Sequence, residues 1–327
     1  MINRKPLVSI IIPTYNRAQL LPAAIESVLG QGYPNTEVII VDDGSTDDTQ
    51  EVLGRFGNRI NVVTQENKGA AAARNIGIRS SKGEIVAFLD SDDLWLPTKL
   101  ERQVALLEKA GHAVPCCLSN IELAYSEGRV GSSFDLSLIK PSIEEGLWIN
   151  VLEVLATRFI LFNQAVAIRR EALERVGGYN ENYLIMEDHD LALRLALLGP
   201  WAFIRQPLVV WNEGSPGSLT KQAENQLVNL FKTIFDIYQK MVLFAEDNNC
   251  SESQHRQLSF ELKRVRFRLK AVCLSHMPSR PTRALGLALK ALERLFDKIY
   301  TNSPWYPQME VTTIEHYQLS LNHPFRS

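Results

Sequence analysis

Strand-like and helix-like segments alternate through the first 110 residues of the chain. Unbroken aliphatic runs are typical of strands buried on both faces, and the segments between them place apolar residues at every third or fourth position, as helices do. This alternation predicts a doubly wound α/β layer, in which a mostly parallel sheet is flanked by helices. The four strands predicted in this part are Leu7–Ile12, Glu37–Val41, Ile60–Thr64 and Glu84–Leu89.

The middle of the chain has a mixed pattern. A helix is predicted to follow Glu187, because Leu191, Leu195 and Leu198 lie on one face. We therefore predict one domain at residues 1–220, with a nucleotide-binding half at 1–110 and an acceptor-side half at 111–220. The strands predicted in the second half are Val114–Ile121, Phe162–Ile168 and Leu208–Trp211.

The C-terminal part changes character again. Beyond residue 220 we predict no strand, only a helical appendage over residues 221–327. Its helices are marked by apolar stripes near residues 227–241, 262–272 and 285–299. Basic side chains crowd the helix at 262–272 on the face opposite its apolar stripe. Such a helix is either an ordinary solvated surface or a peripheral contact with anionic lipid or an anionic acceptor.

Bulk properties narrow the classes of function. With 327 residues and a formal net charge of -2, the chain has no overall attraction to nucleic acid, and we expect no such partner. No segment reaches the ~20 apolar residues of a membrane span, and the run Leu7–Ile12 is too short for a signal peptide. The four cysteines form no CxxC pair, which disfavours a zinc site or a disulfide framework. We expect a cytoplasmic protein, with peripheral contact at the inner face of the membrane as an option.

Aspartates follow two of the predicted strands. Asp42 and Asp43 end the second strand, and Asp90-Ser91-Asp92-Asp93 ends the fourth. Ligands of such sheets bind at the carboxyl ends of the strands. Aspartate is also a common turn residue, but three carboxylates within four residues repel one another unless a cation or an ion pair neutralises them. Oxygen ligands on a short loop suit Mg²⁺ or Mn²⁺, which also bind phosphate oxygens.

Groups suited to a nucleotide lie at successive strand ends. Tyr15 can stack on a base, and a carboxylate of the Asp42-Asp43 pair can accept the imide N–H of a uracil. Backbone N–H groups at the start of the alanine-rich helix, together with Arg74, suit a diphosphate. Each feature alone has an ordinary structural explanation, but together they predict a nucleotide site. Its predicted residues are Pro13, Thr14, Tyr15, Arg17, Asp42, Asp43, Gly44, Lys68, Gly69, Arg74, Asp90 and Ser91.

An ordered series of motifs between about residues 6 and 220 resembles the family 2 glycosyltransferases of GT-A fold. The resemblance implies an inverting transfer of a sugar from a nucleoside diphosphate sugar, such as a UDP-sugar, to a hydroxyl of a saccharide or lipid-linked acceptor in glycan biosynthesis. The motifs are Pro13–Arg17, Asp42–Asp47, Asn67–Gly69, Ala73–Asn75, Leu89–Asp93, Gly177–Tyr179 and Glu187–Leu191.

The same resemblance implies roles for individual residues. Asp90-Ser91-Asp92 matches the DxD motif, so Asp92, with Asp90 as second candidate, would ligate Mn²⁺ or Mg²⁺. Asp188 would be the general base, and Glu187 could reach the site beside it. Helical geometry independently turns Asp188 inward and places Asp190 in an exposed ion pair with Arg194, four residues later. Family members often carry a histidine near the metal in the loop after the last strand, and residues 211–218 contain none.

Two other functions fit parts of the pattern. A metal-dependent nucleotidyl or phosphoryl transferase also places acidic clusters at sheet ends, although the chain lacks the GxxxxGK[ST] loop. A nucleotide- or glycan-binding protein without catalysis would keep the scaffold. The presence of Asp188 together with an intact Asp90–Asp92 pair argues against a loss of catalysis. The missing histidine leaves such a loss open.

Overall fold

A computed structural model describes residues 4–125, 128, 130–160, 162–212, 227–247, 251–275, 290 and 307–322. The chain divides into two compact units. The first comprises Met1–Val151, Phe159–Ser215 and Met309–Ser327, and the second comprises Leu152–Arg158 and Pro216–Gln308.

The first unit is built on a sheet of eleven strands. The strands are β1 Val8–Thr14, β2 Thr36–Asp42, β3 Asn61–Thr64, β4 Ile85–Phe88, β5 Leu94–Trp95, β6 Cys116–Ala124, β7 Val130–Ser132, β8 Glu145–Trp148, β9 Val166–Arg169, β10 Trp201–Asn212 and β11 Val311–Thr312. Nine of them form the path β11-β8-β10-β6-β9-β4-β1-β2-β3, while β5 pairs with β10 and β7 with β6.

The helices described in the chain vary from one turn to six. They are α1 Leu21–Leu29, α2 Thr49–Gly54, α3 Ala70–Ser80, α4 Lys99–Ala110, α5 Ser133–Leu136, α6 Val151–Leu155, α7 Arg170–Val176, α8 Glu187–Ala196, α9 Leu227–Asp247, α10 Glu252–Ser275 and α11 Ile314–Asn322.

The four strands predicted in the first 110 residues are confirmed as a parallel block. β1 is buried along its whole length and pairs in parallel with β2 and β4, and β2 pairs in parallel with β3. Helix α3 packs closely on this block because it carries Gly77, where a Cβ atom would lie 2.4 Å from Cγ2 of Ile11. The parallel arrangement brings the carboxyl ends of β1, β2 and β4 to one edge of the sheet.

The expected α/β fold is confirmed, but the sheet is mixed rather than mostly parallel. β9 pairs antiparallel with both β4 and β6, and β10 is antiparallel to β5 and β8 but parallel to β6. These pairings join segments that are far apart in sequence. Two predicted boundaries also differ. The strand predicted from Phe162 starts at Val166, and that predicted from Leu208 starts at Trp201.

The prediction that no strand follows residue 220 is wrong. β11 adds to the sheet by pairing antiparallel with β8, opposite Leu147 and Trp148. Gly146 permits this approach, because a Cβ atom there would lie 2.6 Å from the carbonyl oxygen of Thr312. The end of the chain therefore belongs to the first unit.

The second unit contains the long helices α9 and α10, which confirm two of the three predicted stripes. Ile237 and Met241 on α9 are buried, as are Leu258 and Val265 on α10. The third stripe, at 285–299, lies outside the described residues apart from residue 290. Among the residues that the structure describes, no helix combines the length and apolar character that crossing a bilayer requires.

Candidate active site

The first acidic cluster, Asp42 and Asp43, lies at the end of β2, and both side chains are buried. Asp42 accepts hydrogen bonds at its two oxygens from different partners. The backbone N–H of Ser45 donates to Oδ1 at 3.0 Å, and the amide of Gln50 donates to Oδ2. Both oxygens of this carboxylate thus accept hydrogen bonds, one from the loop after β2 and one from α2.

Asp43 holds the next strand-end loop in place. Its Oδ1 accepts from the backbone N–H of Lys68 at 2.8 Å and from the amide of Gln65 at 2.5 Å, and its Oδ2 accepts from the backbone N–H of Gly69 at 2.8 Å. Gly44 lets the two loops meet, since its φ is +79° and a Cβ atom there would lie 3.0 Å from a backbone nitrogen. The predicted contact of this cluster with a base stays a prediction. The structure shows in addition that Asp43 fixes the loop at Lys68 and Gly69.

The loop after β1 is tied to the same edge. Pro13 and Thr14 end the strand and are buried, whereas the Tyr15 ring is 45% exposed and available for stacking. Asn16 adopts a left-handed φ of 52°, and its backbone N–H donates to Oγ of Ser45 at 2.9 Å. The guanidinium of Arg17, the next residue, reaches the loop after β4, where its Nη2 lies 3.8 Å from Oδ2 of Asp92.

The second acidic cluster, Asp90, Asp92 and Asp93, follows β4. Asp93 is buried, and its Oδ1 accepts from the backbone N–H of Asn212 at 3.1 Å. Burial and then the charges of Asp90 and Asp92 raise the pKa of Asp93 well above its ordinary value. The side chain of Asn212 donates to the carbonyl of Asp92 at 2.9 Å, so β10 holds this loop from the opposite side. Ser91 is buried between these aspartates.

Arg74 joins the second acidic cluster to the start of α8. Its Nη2 donates to Oδ1 of Asp90 at 2.7 Å, and its Nη1 donates to Oε1 of Glu187 at 2.8 Å. The side chain is buried, and its Nε has no hydrogen-bond partner. Burial acts to lower the pKa of Arg74, but the two carboxylates raise it above its ordinary value, so the guanidinium stays charged. Arg74 therefore neutralises part of the crowded negative charge.

Asp188 is half-buried in the first turn of α8. Burial, followed by the charge of Glu187, raises the pKa of Asp188 to about 8, while Arg74 opposes this rise. Its Oδ1 accepts from the backbone N–H of His189 at 2.8 Å. The His189 side chain packs near the Phe159 ring, with ring centroids 5.8 Å apart, and burial lowers its pKa to about 4. His189 is therefore a neutral side chain that supports this turn.

The segment Gly177-Gly178-Tyr179 is fastened to α3 by Asn75. The Asn75 amide donates to the carbonyl of Tyr179 at 2.9 Å and to Glu181 at 2.8 Å, and its Oδ1 accepts from the backbone N–H of Tyr179 at 2.9 Å. Gly178 has a φ of +70°, and a Cβ atom there would lie 2.8 Å from Oδ1 of Asn75. The Tyr179 ring lies 5.4 Å from the Arg74 guanidinium, so this segment also supports the central arginine.

Asp190 pairs with Arg194 as the helical spacing predicts, but the expectation of an exposed pair is wrong. The shortest separation is 2.5 Å, and both side chains are largely buried. Arg194 also donates to the carbonyl oxygens of Val176 at 2.5 Å and Gly178 at 2.8 Å. The pair therefore anchors α8 to the turn before it, which orients Glu187 and Asp188.

A divalent cation fits this edge only together with a ligand. In the part of the chain that the structure describes, no three His, Cys, Asp or Glu side chains are arranged to hold a metal ion. However, Mg²⁺ and Mn²⁺ bound with nucleotides use one or two carboxylates and take their remaining ligands from water and phosphate. Asp92 and Asp90 satisfy that requirement, with side chains 22% and 29% exposed. The loop at 213–218, where a histidine is missing, lies outside the described residues.

Comparisons with known proteins show the family to which the chain belongs. The model of glycosyl transferase family 2 matches residues 9–147. A protein of Rickettsia typhi described as a glycosyltransferase is 30% identical over 257 residues, which cover 78% of each chain. The chain belongs to glycosyl transferase family 2. The resemblance seen in its motifs is thereby confirmed.

Other relatives of this family 2 member differ in how much of their length is matched. A Rickettsia felis glycosyltransferase is 34% identical over 209 residues, but these span only 34% of its length. The Escherichia coli enzyme WfaP, a UDP-Glc:alpha-D-GlcNAc-diphosphoundecaprenol beta-1,3-glucosyltransferase, is 32% identical over 197 residues, 59% of this chain and 70% of its own. The crystal structure of S. aureus TarS 1-349 with UDP-GlcNAc superposes with a TM-score of 0.63 over 88% of this chain and 80% of that one, at 18% identity, which shows a shared GT-A fold.

Several residues of this family 2 site were not foreseen from the sequence. Gln50 and Gln65 satisfy the first acidic cluster, and Asn212 holds the second. Asn75 belongs to a recognised motif, but the sequence does not predict its hydrogen bond with Tyr179. No local pattern marks Asn212, because its contact with Asp93 spans 119 residues of sequence.

Proposed function

We propose that the protein is an inverting glycosyltransferase that moves a sugar from a UDP-sugar to a hydroxyl of a saccharide or lipid-linked acceptor. The observation that carries this proposal is the bridge from Asp90 through Arg74 to Glu187, since it brings the DxD loop and the candidate base into one site. The donor and acceptor named for WfaP, UDP-glucose and a diphosphoundecaprenol-linked GlcNAc, support these two classes of substrate.

The donor nucleotide would lie across the ends of β1 and β2. The Tyr15 ring stacks on the base, Asp42 or Asp43 faces its imide, and the diphosphate approaches Lys68 and Gly69 at the start of α3. The Lys68 side chain is exposed and can turn towards the phosphates. Asp43 supports this arrangement by presenting the loop in one conformation, which lowers the ordering cost on binding.

Asp92, with Asp90 beside it, would hold Mn²⁺ or Mg²⁺. That ion supplies charge stabilisation for the departing nucleoside diphosphate. Arg17 lies 3.8 Å from Asp92 and keeps this carboxylate oriented towards the site. Asp90 is held by Arg74 at 2.7 Å, so its free oxygen faces either the ribose or the ion.

Asp188 would act as the general base. It takes the proton from the acceptor hydroxyl while that oxygen attacks the anomeric carbon, and the single displacement inverts the anomeric centre. Glu187 stays paired with Arg74, and Arg74 counteracts the rise in the pKa of Asp188. Because a base must be deprotonated to work, the raised pKa places its titration near neutral pH, where proton transfer is efficient.

A thermal-shift panel tests the donor half of the proposal. Nucleoside diphosphates and nucleotide sugars are added to the full chain with and without Mn²⁺, and we expect UDP and a UDP-sugar to protect it more strongly when Mn²⁺ is present. Asp92→Asn should remove the increment due to Mn²⁺. Failure of every nucleoside diphosphate to protect would contradict a nucleotide-sugar donor.

A turnover assay separates the competing functions. Release of UDP from a UDP-sugar on addition of acceptor supports the transferase. Protection by UDP without any transfer to saccharide or lipid-linked acceptors would indicate a binding protein on this scaffold. Protection by nucleoside triphosphates alone would instead favour nucleotidyl or phosphoryl transfer.

A further inference from the structure

One face of α10, in the second unit, combines exposed aromatic and basic side chains. Residues spaced by three or four positions share a helical face, and the spacing from Phe260 to Lys270 follows this rule. Both phenylalanines are 40% exposed, and the three basic residues are exposed as well. We call this set the basic-aromatic face, which consists of Phe260, Lys263, Arg266, Phe267 and Lys270.

The opposite side of α10 already has its packing partners. Leu258 and Val265 are buried there, and α10 packs on α9 within the second unit. The basic-aromatic face is therefore not the side that completes the core of this unit. Two phenylalanines, each 40% exposed, give this face an apolar component beside its charges.

Charge on this face has a single sign. The α10 segment contains six basic and two acidic residues, in a chain whose formal net charge is -2. Glu261 is buried and pairs with Arg264 at 2.7 Å, and Glu252 lies in the first turn, 3.8 Å from Arg256. Among the described residues, no ion pair involves Lys263, Arg266 or Lys270. Their charges are available to an anionic partner.

We propose that the basic-aromatic face binds an anionic lipid bilayer, with the axis of α10 parallel to the membrane plane. Lysines and arginines on this face are attracted to anionic headgroups, and the two phenylalanines among them can insert at the boundary between headgroups and acyl chains. This inference rests on the proposed function and deepens it. A protein bound to the membrane surface would meet a lipid-linked acceptor where that acceptor resides. The contact itself requires neither donor nor base.

Vesicle sedimentation tests the proposal with the full chain. Vesicles of phosphatidylcholine alone are compared with vesicles that also contain phosphatidylglycerol. We expect binding to the anionic vesicles that weakens with salt. The triple variant Lys263→Gln, Arg266→Gln, Lys270→Gln should lower the partition coefficient about 100-fold, since each basic residue near such a surface contributes about fivefold.

The matched control removes the same charge elsewhere. Arg55→Gln, Arg79→Gln and Lys82→Gln change three exposed basic residues of the first unit and should leave vesicle binding within about twofold. Phe260→Ser with Phe267→Ser should weaken binding at high salt, where the apolar contribution remains. Because that pair could disturb folding, Phe267→Trp supplies a second measurement. Its emission, after subtraction of the emission from the five native tryptophans measured in the wild type, should shift to shorter wavelength on anionic vesicles.

Three results would overturn the proposal. They are no binding to anionic vesicles, equal binding to neutral and anionic vesicles, and binding that is lost to soluble heparin while the phenylalanine variants behave as wild type. The last result would identify a soluble polyanion as the partner. UDP protection is measured without vesicles, so failure here leaves the donor proposal intact, and failure of UDP protection leaves vesicle binding intact.

Discussion

The two acidic clusters stand at the same edge of one sheet, yet their charges are handled differently. Asp42 and Asp43 are buried, and each of their carboxylate oxygens accepts a hydrogen bond from a neighbouring loop or helix. In the second cluster Asp90 and Asp92 lie beside Arg74 and Arg17, and the pKa of Asp93 rises because of burial and the charges of these two aspartates.

The first cluster therefore has a structural role besides its proposed contact with the base, whereas the second is proposed to bind a cation. Hydrogen bonds from backbone N–H groups stabilise a buried carboxylate in the folded protein, so the first cluster contributes to stability. In the second cluster Arg17 and Arg74 balance part of the negative charge, and a bound cation would stabilise the remainder. We therefore expect substitutions in the first cluster to lower stability, and substitutions around the second to lower activity.

The largest expected effect is on turnover. Asp188→Asn keeps the shape of the side chain but cannot take a proton, so the transfer rate should fall by about 10²- to 10⁴-fold while UDP protection is unchanged. Steady-state kinetics with a UDP-sugar and acceptor provide the measurement. The control is Glu174→Gln, which removes an exposed carboxylate on α7 and should keep the wild-type rate. Normal turnover by Asp188→Asn would show that another group is the base.

The next effect is a loss of stability at the first cluster. Asp43→Ala leaves the backbone N–H groups of Lys68 and Gly69 without their acceptor, and we expect the free energy of unfolding to fall by about 3 kcal/mol. Urea unfolding measures the change. Asp48→Ala is the control, since Asp48 is exposed and its side chain caps no helix N–H, so the change should stay within about 0.5 kcal/mol. A loss below 1 kcal/mol for Asp43→Ala would contradict a stabilising first cluster.

A third prediction concerns the sign of a stability change. The pKa of Asp188 is about 8 in the folded protein against an ordinary 3.8, so between these values the folded protein holds a proton that the unfolded chain has released. Folding stability should therefore fall as the pH rises through that window. Asp188→Asn removes this dependence and should be more stable than wild type by about 1–2 kcal/mol at pH near 8, a figure reduced because Asp188 is only half-buried.

Unfolding at two pH values provides the test. Near pH 4, where the folded carboxyl is protonated and the unfolded one is partly ionised, the stabilities of Asp188→Asn and wild type should differ by less than about 0.6 kcal/mol. Asp43→Asn, by contrast, should destabilise at both pH values, because its amide cannot accept all the bonds that the carboxylate accepts. If Asp188→Asn were less stable than wild type near pH 8, the carboxylate would be stabilised by its surroundings, which would contradict the raised pKa of Asp188.

The parallel block and its strand-end motifs could be predicted because the rules involved are local. A buried parallel strand is a continuous aliphatic run, and the residue after it lies at the binding edge whatever the rest of the chain does. Asp43, Asp92 and Arg74 were thus identified from their positions after β2 and β4 or on the helix between β3 and β4. Their partners could not be, since the Arg74–Glu187 bond spans 113 residues.

The short strands escaped prediction for a related reason. β5 and β11 have two residues each, and such segments carry too little pattern to be distinguished from loops. Each forms because it pairs with a strand from a distant part of the sequence, β5 with β10 and β11 with β8. Similarly, the spacing of Asp190 and Arg194 predicted their ion pair, but not its burial, because that depends on two carbonyl groups of the turn before α8.

The smallest expected effect is at Gly69, whose backbone belongs to the closed first cluster. Its φ is +89°, and a Cβ atom there would meet nothing within 4 Å, so Gly69→Ala should cost about 1 kcal/mol through backbone strain alone. Gly32→Ala is the control, since Gly32 also has open space around it but no positive φ. In the Asp43→Ala background the loop is no longer held, so the cost of Gly69→Ala should drop by about 0.5 kcal/mol or more. Equal costs in both backgrounds would mean that the strain at Gly69 is imposed by something other than Asp43.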